Sequence, residues 1–405
     1  MTQVSTIPVF VVDRPASLRI LGGLTENKGE FGILAHAFTT KNFKKQFSEF
    51  NLAAFKVGDS GIYQRNDQGY REIFSAYNEM KVDYGIIKDF YRDRKKTFES
   101  AKIGFGEYKK GKYNFILVGV AQGRSVAEYI QSYREQKDLG LEIVAIGGLL
   151  DKIPNHVRLV KVKHDVMLRN VLRAIRKQFP NDKLFPLGAF SRKRIQFFKE
   201  VGVWASDYKG WIFKYDKSQA EAKNDRFEQT RKYVIEKVLS PLSESNATIY
   251  DDTNHKLKND GKRLLIMACG KVKRNERDNA INVYDGPSFK VVRKYLKTGN
   301  NHLDVKIISA KYGLIDSKDK ISPYDLKMDA ESTKIYAEIY GSDLKGLVSK
   351  YDEVFLLGGK NYQSIIPIEL DIKRAAGKIG EQLSQLKAWL NETCKSKDDK
   401  VKLNQ

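Results

Sequence analysis

Cysteine is scarce: Cys269 and Cys394 are the two in 405 residues. Two thiols cannot build a disulfide framework or a clustered four-ligand zinc site. No apolar run approaches the roughly 18 residues that a membrane-spanning helix needs. The longest stretches, such as Phe115–Val120 and Val354–Leu357, have the length of buried strands. The first residues, MTQVSTIPVFVVDRPA, lack the basic start, long apolar core and small-residue cleavage site of a secretory signal. Internal repeats and low-complexity blocks are also missing. What is present excludes the remaining extremes. The hydrophobic fraction of 41% is too high for a disordered chain, and the charged fraction of 30% too high for a membrane protein. The expectation is a soluble, cytoplasmic protein with room for two or three domains and no contact with a membrane.

Acidic residues are outnumbered, 50 to 72, which leaves a formal charge of +22. Such an excess suits a polyanion, most simply nucleic acid, but it also suits a generally lysine-rich surface. The basic residues are spread through KNFKK, DRKK, KKGK, RKR and KVKR rather than gathered in a tail. That distribution fits a basic surface over folded domains.

Up to about residue 237, short apolar runs alternate with amphipathic ones. Strands are predicted at Pro8–Val12, Ile33–Ala37, Ala54–Asp59, Tyr84–Asp89, Asn114–Gly119, Glu142–Ile146, Lys183–Leu187 and Val203–Asp207. Helices are predicted at Thr40–Phe50, Gly69–Met80, Arg92–Lys109, Ser125–Leu139, Asp165–Phe179 and Arg192–Val201. This alternation implies a parallel sheet covered by helices, and its size fits a (β/α)8 barrel of the TIM type over residues 1–240. A doubly wound open sheet gives the same alternation. Residues 238–261 turn polar and lose any period, which marks a boundary, with 241–261 as the linker. A smaller α/β domain follows at 262–394. Its predicted strands are Arg263–Cys269, Val305–Ser309 and Glu353–Leu357, and a frayed tail is expected at 395–405.

Acidic residues recur where the first domain's strands end. Asp59 closes AAFKVGD, Asp89 closes YGIIKD and Asp207 closes VWASD; Gln122 follows FILVGV, and Gly147-Gly148 follows EIVAI. In a barrel these positions form the active-site rim. A single strand-end aspartate often caps the next helix. Three on one rim, two of them with no obvious helix start behind them, favour chemistry. Two such carboxylates support displacement at a sugar anomeric carbon, one as nucleophile and one handling protons.

The residues around these positions resemble the tRNA-guanine transglycosylase family. Asp59–Gln64, DSGIYQ, is similar to the family's DSGG-aromatic-Gln motif. VDYGIIKD, with Asp83 six residues before Asp89, resembles the strand that carries a base-reading aspartate. VAQG at Val120–Gly123, IGGL at Ile146–Leu149, FPLG at Phe185–Gly188 and GVWASD ending at Asp207 follow in the family's order and spacing. The resemblance implies Asp207 as nucleophile and Asp59 as general acid/base. It implies Asp89, Gln122, Gly147, Gly148 and Ser60 as base-binding residues, with Tyr63 and Leu187 packing on the two faces of the base. Core packing is the alternative for Tyr63 and Leu187, and a tight turn for the two glycines.

There are departures. Ile62 replaces the second glycine, Ser206 the aromatic before the nucleophile, and YKGW the following basic-proline segment. The clustered Cys-x-Cys-x-x-Cys of the family's zinc module, which helps grip tRNA, is missing, so no zinc is expected. In the second domain RLLIMACGKVK, VYDGPSFKVVRKYL, IISAKYGLID and ISPYD resemble a small domain akin to the DNA-binding YaaA family. A transglycosylase-like barrel joined to such a domain resembles the DNA-modifying DpdA branch, found in bacterial modification clusters and phages. The implied activity is exchange of guanine in DNA for a 7-deazaguanine, the 7-cyano form or a derivative, with no cofactor. A tRNA enzyme and a non-catalytic nucleic-acid binder are the alternatives. Lys271, Lys273, Arg274, Lys311 and Lys360, at the second domain's strand ends, are the candidate phosphate contacts, each also readable as a solvated surface cation. Cys269 reads first as a buried structural thiol.

Overall fold

A computed structural model describes residues 6–61, 68–150, 165–212, 223–243, 263–298 and 303–392. They divide into two compact units.

The first unit is a parallel barrel. Its strands are β1 (Ile7–Val11), β2 (Gly32–His36), β3 (Lys56–Asp59), β4 (Tyr84–Ile86), β5 (Ile116–Ala121), β6 (Ile143–Ile146), β7 (Phe185–Pro186) and β8 (Ala205–Tyr208). They lie in the order β7-β6-β5-β4-β3-β2-β1-β8, with β8 parallel to β1 from Ile7↔Ala205 to Phe10↔Tyr208. The remaining seam, β7 to β8, closes through one parallel bridge, Leu184↔Val203, and an amide bond from Trp204 to the Leu184 carbonyl at 3.0 Å. Pro186 has no N–H to give, which limits the ladder there. Ser206 meets that deficit: its hydroxyl donates to the Pro186 carbonyl at 2.7 Å. The barrel expected from the alternation is therefore the fold, nearly closed by backbone and tied by a serine where the sequence departs from the resembled motif.

Each predicted strand is present, with shifted ends. The largest shift is at β4, which stops at Ile86 rather than continuing to Asp89. The chain turns away there, reaching left-handed backbone at Arg92 (φ 55°). The helices are α1 (Pro15–Leu21), α2 (Lys41–Glu49), α3 (Tyr70–Met80), α4 (Arg94–Lys110), α5 (Val126–Asp138), α6 (Val166–Gln178), α7 (Ile195–Val201) and α8 (Lys223–Val234). Side chains set two starts: Thr40 caps α2 and Asp93 caps α4 by accepting the Lys96 amide. The stretch after α8 continues as a π turn (Ile235–Leu239) and α9 (Ser240–Ser243), burying Val238 and Leu239. Helix thus extends past residue 238, where the apolar period was expected to end.

The barrel's amino-terminal end is filled by aromatics. Phe55 stacks on Trp204 with centroids 4.9 Å apart, and Tyr84 and Phe185 meet the indole at 5.2 and 5.8 Å. This plug leaves the carboxyl end as the open rim. Trp211, from the divergent YKGW segment, is fully buried against Phe10, and its indole N–H donates to the Val11 carbonyl at 3.0 Å.

The second unit is a mixed sheet. Its strands are β9 (Arg263–Ala268), β10 (Asp278–Asn279), β11 (Leu303–Ser309), β12 (Gly313–Asp316), β13 (Lys320–Ile321), β14 (Glu353–Leu357) and β15 (Lys373–Arg374). The main order is β12-β11-β9-β14-β15, with only β12 antiparallel, while β10 and β13 form a separate pair. Helices α10 (Ala280–Val283), α11 (Pro287–Leu296), α12 (Ala330–Val348), α13 (Lys360–Gln363) and α14 (Ile379–Glu392) complete it. Leu264, Leu265, Ile266 and Met267 put β9 at the core. Among the described residues no helix is long and apolar enough to cross a membrane.

Candidate active site

Asp59 is the last residue of β3, and its Oδ1 accepts the Gly61 amide at 2.8 Å. Asp207 lies in β8 and accepts the Gly188 amide at 2.5 Å. Asp89, three residues past β4, accepts the Gln122 side-chain amide at 2.6 Å. Among the described residues none of the three caps a helix; Asp93 does that for α4.

Asp59 and Asp207 line one cavity of about 580 Å³. Burial raises the Asp59 carboxyl above its usual range, against the Gly61 amide and His36, which oppose the rise. Burial likewise raises Asp207 to about 6, with the Asp59 charge adding to the rise. It also raises Asp89 to about 6, again with help from Asp59. The Asp59 charge thus acts on both of the other carboxyls.

Beside them is a cradle. The Gln122 side chain is 1% exposed and held at both ends: Nε2 donates to Asp89, and Oε1 accepts the Arg92 amide at 2.9 Å. It lies against Gly147-Gly148, where a Cβ on Gly147 would come 2.4 Å from Nε2 and one on Gly148 2.4 Å from Oε1. Gln122 therefore fixes Asp89, with one N–H and one lone pair left over. Gly148 is needed twice, for that approach and for its φ of +66°. Gly148→Ala is expected to cost about 2–4 kcal/mol from strain plus a displaced buried amide. Gly188 has a similar φ of +65° but open space at its Cβ position. Gly188→Ala should cost only the strain, about 1 kcal/mol, and thermal unfolding of the pair separates the two contributions.

The structure thus brings together Asp59 with Asp207, and Asp89 with Gln122, Gly147 and Gly148. Ser60 is buried at the end of β3, and Leu187 is half-buried after β7, its amide bonded to the Ile146 carbonyl at 2.9 Å. Tyr63 lies outside the described residues.

Sequence reasoning missed Asp13, His36, Arg194 and Lys209, which line the same cavity. Asp13 and His36 were findable by the strand-end rule, since one follows β1 and the other closes β2. His36 is the ladder partner of Asp59, so both project from the same face. Its Nδ1 is buried with no hydrogen-bond partner, and burial keeps the ring's pKa below the ordinary histidine value. Asp13 goes the other way from the rim carboxyls: its ion pair with Arg14, 2.9 Å long, holds it below the usual value. Lys209 directly follows β8 and was findable the same way, whereas Arg194, just before α7, carries no strand-end signal.

The five cations of the second unit separate. Lys271, Arg274 and Lys360 are exposed, Lys273 is half-buried, and Lys311 is only 8% exposed. Cys269 is half-buried rather than buried, with Sγ 3.1 Å from the Tyr362 hydroxyl. It sits just past β9, where the strand has left the apolar core.

Residues 264–391 match the model of a family of unknown function, DUF6884. No curated protein matches the chain. Solved structures similar to it include the YdjI aldolase from Escherichia coli K12, at 14% identity and a TM-score of 0.41, covering 59% of this chain and 90% of that one. A putative fructose-1,6-biphosphate aldolase from Coccidioides immitis is similar at 10% identity and a TM-score of 0.41, covering 59% and 91%. A native KDPGal structure is similar at 9% identity and a TM-score of 0.34, covering 58% and 95%.

Proposed function

We propose that the barrel is a base-exchange transglycosylase, which removes guanine from a nucleic acid and installs a 7-deazaguanine. The observation that carries this reading is that one strand-end rim bears both a two-carboxylate cavity and the Asp89–Gln122–Gly147–Gly148 cluster, whose Asp89 feels the Asp59 charge. The cradle offers a fixed carboxylate and close backbone approach to a flat base edge. The cavity offers a nucleophile and a proton carrier at the sugar.

In this mechanism the Asp207 carboxylate attacks the anomeric carbon. The glycosidic bond breaks, its electron pair leaves with guanine, and Asp59 gives the departing base its proton. The incoming deazaguanine returns a proton to Asp59. Its ring nitrogen then attacks the same carbon, releasing Asp207. One glycosidic bond replaces another, so electrons balance without an oxidant or reductant. Burial raises the Asp59 carboxyl, which favours the protonated form it donates from. Asp207 must be ionised, so exchange is expected to rise with pH through about 6.

DNA is the preferred substrate. The sequence has too few cysteines for the tRNA-gripping zinc module of the resembled family, and a formal charge of +22 suits a phosphate backbone. A guanine in a duplex must be flipped out, at a cost of a few kcal/mol. The test is incubation with labelled guanine and either DNA or tRNA. Label is expected in DNA, in amounts that fall steeply as salt increases. Label in tRNA alone moves the substrate to RNA. Label in neither, with nucleic acid still bound, makes the protein a non-catalytic binder.

A further inference from the structure

We propose that the second unit has a binding site of its own for a phosphate group, at the carboxyl ends of β9, β11 and β14, built from Lys273 and Lys311 beside Tyr324. The inference uses the second unit alone and stands or falls independently of the barrel's chemistry.

The topology supplies the place. From β9 the chain crosses to β11 on one side and later to β14 on the other, so the strand order reverses beside β9. In open parallel sheets the crevice outside the strand ends at such a reversal is where ligands bind. The polar side chains gather there. Ser309 ends β11, Cys269 follows β9, and Tyr362 follows β14 and reaches the Cys269 thiol.

The hydroxyls of Tyr284, Ser309 and Tyr324 form a closed triangle with edges of 2.7, 2.9 and 3.2 Å, and Ser309 also accepts the Tyr312 amide at 3.1 Å. Each hydroxyl proton is used within the ring, so the triangle fixes Tyr324, which belongs to the strandless segment between β13 and α12. Tyr312 pins the same segment through Ser322, donating to its carbonyl at 3.1 Å.

The fixed ring holds two cations. Lys273 Nζ lies 4.4 Å from the Tyr324 centroid and Lys311 Nζ 5.9 Å. Both ammonium groups thus pack against the same ring, which itself sits on a partly buried polar cluster. Asp285 is already engaged by Arg274, Lys290 and Arg293. Asp325, whose charge reaches Lys273, is exposed. Two ammonium groups, with three N–H donors each, match the charge and several acceptor oxygens of a phosphate. Lys271, Arg274 and Lys360 remain on the exposed surface around this position.

The test is calorimetric titration of the full chain with three probes: inorganic phosphate, uridine 5′-monophosphate, and a thymidine oligonucleotide with no guanine for the barrel. Binding of a small probe identifies a phosphate monoester as the ligand, and binding of the oligonucleotide alone identifies a nucleic-acid backbone. Either result supports the site, provided Lys273→Met and Lys311→Met each weaken it by roughly tenfold or more. Lys373→Met, which changes an exposed lysine paired with Glu392, should leave binding unchanged. Occupancy should also slow alkylation of Cys269, followed by peptide mass spectrometry so that Cys394 is read separately. If Lys311→Met fails to fold, Lys273→Met decides, because its side chain is half-buried. Failure of all three probes to bind, wild-type binding by Lys273→Met, or an equal loss in Lys373→Met would overturn the proposal.

Discussion

Asp207→Asn is expected to leave about one ten-thousandth or less of the proposed guanine-exchange rate, because an amide cannot attack the anomeric carbon. The same variant folds more stably than the wild type at neutral pH. Its side-chain oxygen can still accept the Gly188 amide, so the local geometry has no reason to change. The gain follows from linkage. In the unfolded chain this carboxyl ionises near 3.8, and in the folded barrel at about 6. A raised folded pKa means that the stability contributed by the protonated group is full below the unfolded value and is lost as pH rises through the folded one. Replacing the group by a neutral amide removes that loss, worth on the order of 1–2 kcal/mol at pH 7 after allowing for screening at the rim. Urea unfolding at neutral pH should show the gain, and unfolding near the unfolded-state pKa should show little. Retained exchange in this variant would remove Asp207 from the mechanism.

Asp59→Asn is expected to slow exchange by about 10²–10⁴-fold, since the proton donor is gone. Folding is not the cause, because the asparagine oxygen can still accept the Gly61 amide. A substrate that needs no proton separates the two aspartates. In DNA carrying 7-methylguanine the base is already cationic and leaves as a neutral molecule without taking a proton, so Asp59→Asn should cleave it at close to the wild-type rate. Asp207→Asn should not, because it still lacks the nucleophile. Equal defects of Asp59→Asn on both substrates would assign Asp59 a structural role in place of proton transfer.

The strand-end rule identified Asp59, Asp89, Gln122 and Asp207, because a strand's end is visible in sequence as the place where an apolar run meets a polar residue. The same rule applied to the first two strands would have added Asp13 and His36. Lys209, directly after β8, falls under the same rule. Arg194, just before α7, had no such signal and reaches the cavity through where that segment lies after barrel closure. The β4 boundary was misplaced because Ile87 is as apolar as the strand before it, and only the turn through Arg92 shows where pairing stops. Cys269 was misjudged for a related reason. Its neighbours in sequence are core residues, while its neighbours in space are Tyr362 and the Tyr324 cluster.

The sequence by itself determined the parallel alternation, the two α/β units, the scarcity of cysteine and the excess of basic charge. These follow from local periodicity and counting, which need no long-range information. Tertiary structure alone decided how the polar residues are shared out. It set Asp59 and Asp207 on one cavity, made Gln122 the brace of Asp89, and separated Lys273 and Lys311 from the exposed cations around them. Burial, hydrogen-bond partners and shifted ionisation arise only when distant strand ends converge, and it is these that distinguish a reactive carboxylate or a ligand-binding lysine from a solvated one.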